Sequence, residues 1–455
     1  EKVASAPSAI AIYYFKNEDH LIGNVSGGFR RIEDINGSPA YHNSEVGVFL
    51  LNDVAAGFWD FTDSRPPASG TYGRFQCAVP NPLRLDGLKS QDGERRLQVE
   101  EVTWDVEQQT PLFQDPHFPP CPNSLGLIRA ECANAEWIRA ADFSRDWPNK
   151  LFDGMEKEDA VSQGCLSDCW LIAAIYSLSR YPTHVKQLFV DTTHLNKDGR
   201  YQLRLFDVRK HDWTVVIIDD HVPCQPRPWW QRQAKPYFAK PGDGFWALLI
   251  EKAFAKLVGS YGALAGGDAC WAWQAMLGTC ELGMFSKTPT GIWEWFNPSK
   301  EDQKQGGMRR MGQCSIQWVR TRLDPTLDVD GLFGHVSERL AKHGLIAASI
   351  KGSSGDSTEE KERPDGLVED HEYSLLRAAR LPSGHFLLQL RNPGGGNGKT
   401  WKGAWSDSSA EWNKFPGSLE FLGHRTAGGG IFWMSLADFA AAFTSISVCS
   451  AALSC

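Results

Sequence analysis

The stretch QGCLSDCWLIAA, Gln163 to Ala174, puts two cysteines and a tryptophan at the head of an apolar run. Trp170, Leu171, Ile172, Ala173, Ala174, Ile175 and Leu178 have the length and spacing of a helix, and Pro182 follows its end. This pattern predicts a helix with Ser167 or Asp168 as N-cap and Cys169 in its first turn. A thiol at the positive end of a helix dipole is expected to have a lowered pKa and to favour thiolate. A free cysteine also serves as a small buried hydrophobe, and a nucleophile needs a base beside it.

A chain of 455 residues exceeds one ordinary core and calls for two or three domains. Residues 1–108 contain the runs AIYYF, GGFRRI, VGVFLL and GFWDF between turn signals such as ING and RPPASG, which predicts a β-rich accessory domain. A Pro-rich connector, FQDPHFPPCPNSLG (113–126), follows, with Cys121 as a loop residue. Residues 109–280 are expected to be helix-rich, with paired strands at YQLRLFDV and DWTVVIIDDHVP. GFWALLIEKAFAKLVGSYGAL predicts an amphipathic helix ending near Gly259. Residues 281–455 are mostly strands, GLIAASI, EYSLLRAARL, HFLLQLRNP and IFWMSL. The polar segment KGSSGDSTEEKERPDG (351–366) between the first two is expected to be a solvated, mobile connector. The fold class is α+β.

The net charge of −8 argues against nucleic acid as the main partner. No apolar stretch approaches the roughly 20 residues of a membrane span. The 11 cysteines show neither a CxxC pair nor a Cys/His zinc spacing, and 18 tryptophans supply packed cores without a disulfide framework. A reduced, cytoplasmic setting is therefore expected. The sequence starts at Glu1 rather than Met, which leaves a removed leader or a trimmed start open.

Two residues fit the partners a nucleophilic cysteine requires. His371, in DGLVEDHEYSLL, enters an apolar strand, which would position a base rigidly. Asn392, in LLQLRNPGG, ends a strand, where its amide oxygen could accept from the imidazole and fix its tautomer. On the residues alone, His371 reads first as an ordinary polar strand-end residue and Asn392 as an ordinary turn residue before Pro393.

The ordered blocks DPHFPPCPNSLG, QGCLSDCWLIAA, FWALLIEKAFAKLVGSYGALAGG, DHEYSLL, RNP, WKGAWSDSSAEW and FWMSLADFAAAFTSISVC resemble the calpain family of papain-like cysteine proteases over roughly residues 110–450. The resemblance implies a two-lobe core, helical then β-barrel-like, with a cleft between. It implies Cys169 as nucleophile, His371 as general base and acid, and Asn392 as the residue orienting the imidazole. Gln163 and the Cys169 backbone N–H would form the oxyanion hole. The implied substrate is a protein or peptide, cleaved through a thioester acyl-enzyme.

Several positions depart from the family pattern. Gly394 and Gly395 follow RNP where the family has Trp then Gly, and the next tryptophan is Trp401. Asp370 and Glu372 flank His371 in place of small residues. They would favour imidazolium, oppose a thiolate or face solvent, depending on direction. The family's calcium sites are depleted: Gly244 replaces a Glu beside Asp243, Gly429 and Ile431 replace acidic residues, and Thr400 replaces a Glu although Asp407 remains. No calcium is expected in the β lobe, and at best a weak site in the helical lobe. No other cofactor is expected. The sequence has no EF-hand loop, so the chain is either an atypical member or a piece of a longer protein.

Cys165 is compatible with a reversible disulfide to Cys169 or with a small side chain in a tight turn. The leading expectation is a cysteine endopeptidase performing limited proteolysis. The alternative is a weak or inactive scaffold, with the β-rich domain as its docking part.

Overall fold

The computed structural model describes residues 112–128, 130–143, 150–226, 234–278, 281–299, 314–352, 360–395, 399–423, 428–451 and 453. It also describes the backbone of strands nearer the N-terminus. The chain divides into two compact units, Glu1–Pro111 with Arg227–Gln233, and Leu112–Pro226 with Ala234–Cys455.

In the first unit the runs AIYYF, GGFRRI, VGVFLL and GFWDF fall on the strands Ala9–Lys16, Gly27–Arg31, Val48–Asp53 and Phe58–Thr62. These belong to one antiparallel sheet, in which Arg95–Glu101 returns to pair with Ala9–Lys16.

The second unit mixes helices and sheets. Helix α1 (Cys169–Ser179) is buried along its whole length, which explains why its apolar residues run continuously rather than in a stripe. Helix α2 (Trp246–Val258) stops at Gly259, whose φ of 111° is a left-handed conformation that glycine adopts without strain. Helix α3 (Ala269–Leu277) is capped by Asp268, which accepts from Cys270 N at 2.8 Å. Trp170, Trp246, Trp271 and Trp273 from these helices pack in one core. The hairpin of Arg200–Asp207 and Asp212–Asp219 pairs in full register, as the two apolar runs predict.

The C-terminal part is built on a large antiparallel sheet. Its strand order is Trp318–Val319, Trp293–Pro298, Leu282–Lys287, Ser445–Cys449, Leu345–Ile350, His371–Arg380, Phe386–Arg391, Ile431–Ser435. Phe285, Trp293, Tyr373, Phe432 and Phe439 fill a second core. Helix α4 (Val329–Ala341), capped by Asp328, packs on the His371 strand. The other face of that strand meets α1, where Ser374 Oγ donates to Ala173 O at 3.0 Å. The sheet therefore buries both faces of the His371 strand and brings its first residue to the start of α1.

A buried ion pair braces α2 against the hairpin. Lys252 Nζ donates to Asp219 Oδ1 at 2.5 Å and to His221 O at 2.7 Å, with both charged side chains shielded from solvent. Asp219 Oδ2 accepts from Asp115 N at 2.8 Å. Burial alone would raise the Asp219 carboxyl, but the hydrogen bond from His221 and the charge of Lys252 hold it well below the usual carboxylate range. Removing one partner strands the other charge in the core. Asp219→Asn is expected to lower the unfolding free energy by about 3–5 kcal/mol at neutral pH. Because the folded pKa is depressed, the wild-type advantage is full above the unfolded pKa and fades as pH falls below about 4. Urea unfolding of both proteins across that range checks the size and the sign.

Candidate active site

Three segments converge at the start of α1. The first carries Gln163. Strand Val161–Ser162 pairs with Lys240–Pro241, and the chain then passes so close to its neighbour that a Cβ on Gly164 would lie 2.0 Å from Phe238 O. Only glycine fits there. Gln163 N donates to Pro393 O at 2.7 Å, which joins this segment to the end of the Asn392 strand. The Gln163 side chain is buried, and its Nε2 donates to Leu166 O at 2.7 Å and to Glu360 Oε1 at 2.8 Å.

Asp168 is the N-cap residue of α1, and its backbone carbonyl accepts from Leu171 N and Ile172 N. Its side chain does not cap the helix. The carboxyl is buried near that of Glu251; burial pushes Asp168 up to about 7 and, together with the Asp168 charge, pushes Glu251 well above the ordinary range. Cys169 is buried at the first helical position. The expected thiolate is not what its surroundings favour. Burial, then the charge of Glu360 and, once it ionises, that of Glu372, push the thiol well above its usual range, and one helix terminus does not offset them.

The second and third segments supply His371 and Asn392. His371 Nε2 lies 2.8 Å from Asn392 Oδ1. Asn392 is buried, its Oδ1 accepts from Gly394 N at 2.8 Å, and its Nδ2 donates to Lys399 O at 2.6 Å. These two bonds fix the amide orientation, so His371 must be the donor through Nε2–H. Nδ1 then faces the side of Cys169. Asp370 adopts φ 51°, tolerable for an aspartate, and its Oδ1 accepts from Gly352 N at 2.9 Å. Glu372 points to the opposite face, is buried, and is pushed up to about 8 by burial and then by the charge of Asp268. Neither carboxylate simply faces solvent.

All four residues singled out in the sequence, Gln163, Cys169, His371 and Asn392, are brought together. Sequence reasoning missed two others. Glu360, from the segment expected to be a mere connector, enters the site: its Oε1 lies 3.1 Å from His371 Nδ1, and Cys169, Glu360 and His371 place donor atoms within 4.8 Å of one another. Burial alone would raise Glu360, but His371 and the Gln163 amide hold it below its usual value. Residues 353–359, the centre of the expected mobile loop, lie outside the described residues. Arg391 was the second omission, although a charge inside LLQLR was a visible signal. It is fully buried, donates to Glu158 O at 2.9 Å and to Val161 O, and stacks 3.8 Å from the Tyr176 ring.

The calpain family cysteine protease model matches residues 113–450. The chain belongs to the calpain family. It is 29% identical over 357 residues to Calpain-A of Drosophila melanogaster, covering 74% of this chain and 36% of that relative. It is 30% identical over 351 residues to the Calpain-1 catalytic subunit of Mus musculus, covering 74% of this chain and 42% of the relative. A third relative, the calpain-type cysteine protease DEK1 of Zea mays, is 28% identical over 375 residues, 78% of this chain and 15% of its own length. The chain thus spans less than half the length of these relatives.

The Trp401 indole N–H donates to Ala404 O at 2.7 Å and its ring packs on the second core. At Asp243, beside the substituted Gly244, the carboxylate pairs with Lys157 Nζ. Cys165 is partly buried against the helical core, and Cys169 is a free thiol. Among the described residues no helix is long and apolar enough to cross a membrane.

Glu360 is one of the charges that oppose ionisation of Cys169. Glu360→Gln is expected to shift the pH midpoint of Cys169 alkylation by iodoacetamide to lower pH, with Cys169→Ala correcting for other thiols. An unchanged midpoint would separate the two groups electrostatically.

Proposed function

We propose that this calpain-family chain is a cysteine endopeptidase that performs limited proteolysis of protein substrates in the cytoplasm. The observation that carries the proposal is the convergence of Cys169, His371, Asn392 and Gln163 from three separate segments with hydrogen-bonding geometry suited to the chemistry. In this reading the core is a two-lobe papain-like arrangement. His371 Nδ1 takes the Cys169 thiol proton as the sulfur attacks the scissile carbonyl carbon and forms a tetrahedral adduct. Its oxyanion is received by Gln163 Nε2–H and the Cys169 backbone N–H. His371 passes the proton from Nδ1 to the leaving amine, giving a thioester, and then takes a proton from the water that releases the acid product. Asn392 keeps the imidazole in register throughout.

Glu360 stands where this cycle needs space. Its carboxylate takes the Gln163 amide and the face of His371 Nδ1, so it must leave before a substrate carbonyl enters. The charge-assisted hydrogen bond from the Gln163 amide contributes about 1.5–3 kcal/mol. The resting arrangement is therefore self-occupied, and opening the 360–366 segment is the gating step.

A second reading, an inactive scaffold docking through its N-terminal β-rich part, draws on the raised Cys169 thiol and the occupied amide. Labelling of the full chain by an epoxysuccinyl probe in chelator separates the two. Labelling at Cys169, abolished in Cys169→Ala and slowed by about 10²–10³ in the turnover of Gln163→Ala, is expected of the protease. Glu360→Gln is expected to label about tenfold faster or more. Slower labelling would make Glu360 a support for His371, and no labelling in any variant would leave the scaffold.

Calcium is not required in this proposal. The depleted carboxylates and the ammonium of Lys157 against Asp243 support that reading. Titration calorimetry is expected to show no stoichiometric calcium binding of about micromolar affinity, and such binding would overturn it.

A further inference from the structure

Cys169 Sγ, His371 Nδ1 and a Glu360 carboxylate oxygen converge within 4.8 Å of one another. The direction of the histidine lone pair follows from the far side of the ring. Asn392 Oδ1 already accepts from Gly394 N, so it faces His371 Nε2 as an acceptor and Nε2 carries the hydrogen. A neutral imidazole in that tautomer has its lone pair on Nδ1. In that neutral ring the lone pair faces Glu360 Oε1 at 3.1 Å, an acceptor against an acceptor, and only a proton added at Nδ1 turns the contact into an ion pair. Two acceptors and a sulfur pointing at one place call for a positive centre, either a proton or a metal ion.

We propose that Cys169, His371 and Glu360 form a binding site for one zinc-class divalent cation, and that its binding closes the catalytic centre. The site stands on geometry alone; the inhibitory consequence rests on the protease reading above. One sulfur, one imidazole nitrogen and one carboxylate oxygen form a borderline donor set that suits zinc and not calcium, which takes oxygen ligands. Tetrahedral bonds of about 2.0–2.3 Å put such donors about 3.3–3.6 Å apart, so the three need to close by no more than about 1.5 Å. A fourth position is left for water, the pattern of a three-ligand zinc site. Each oriented ligand has an outer partner: Asn392 for His371, and the Gln163 amide for Glu360. Binding replaces the thiol proton with a sulfur–metal bond and releases that proton to solvent, while the imidazole binds through its free lone pair without losing one. Glu360 has 21% of its side chain exposed against 2% for His371, so the carboxylate marks the side from which the ion enters.

The signature of this site is spectroscopic. Cobalt(II) added to the full chain under reducing conditions is expected to give one equivalent with a thiolate-to-cobalt charge-transfer band and the strong visible bands of four-coordinate cobalt. Cys169→Ser should lose the charge-transfer component. Glu360→Gln should weaken zinc, measured by competition with a chromophoric chelator, by about tenfold or more. Zinc should block probe labelling of Cys169 in the wild type and do so less effectively in Glu360→Gln. A charge-transfer band of unchanged size in Cys169→Ser places the metal on other thiols and overturns the proposal. Equal zinc affinity in Glu360→Gln overturns it too. Labelling in chelator with no cobalt band sinks the metal site and leaves the protease reading standing. A cobalt band in a chain that never labels keeps the site and sinks the protease reading.

Discussion

The buried guanidinium of Arg391 joins the parts of this structure that its chemistry needs together. It sits on the last residue of a sheet strand, yet its donors reach the carbonyls of Glu158 and Val161, on the segment that leads into Gln163. Its plane lies over Tyr176 of α1. Burial pulls its pKa down to about 10, which still leaves it charged at neutral pH. A cation placed there is solvated by carbonyl dipoles and a ring face. That demand locks the strand end, the Gln163 segment and α1 into one register. The neighbouring bond from Gln163 N to Pro393 O follows from it, and with it the spacing between Gln163 and Asn392.

Much of this was legible in the sequence because the signals were local. The apolar run after Cys169, the Gly259 stop and the paired runs around residues 200–219 each determine their element through spacing and turn chemistry alone. The roles of Gln163, Cys169, His371 and Asn392 came from a resemblance spread over several ordered blocks, and the structure draws the same residues together. What escaped was non-local. Glu360 lies in a polar segment whose composition carries no sign that one carboxylate turns inward, since its partners are 11 and 197 positions away. The state of Cys169 escaped for a related reason: a helix dipole is visible in a sequence, whereas the burial and the two carboxylates that outweigh it are not.

Asp370 and Glu372 illustrate how the same sequence position can carry opposite meanings. As a flanking pair they suggested one electrostatic influence on His371. Alternation along the strand instead sends Glu372 into the packing on the α1 side, where burial keeps its proton on to about pH 8. Asp370 turns back through a left-handed backbone to tie down Gly352. One residue is a neutral packing element and the other a brace for the loop base, and neither needs to touch the imidazole.

Glu360 also bears on the end of a catalytic cycle. In the proposed protease cycle, hydrolysis of a peptide bond would create a new carboxylate close to the position this side chain occupies at rest. A tethered competitor of the same chemistry acts at an effective concentration of about millimolar order, set by its short link to the strand. The group that delays the arrival of a chain to be cut would thereby help to expel the fragment left behind. Turnover in such an enzyme would be paced by an exchange between two carboxylates, one of them its own.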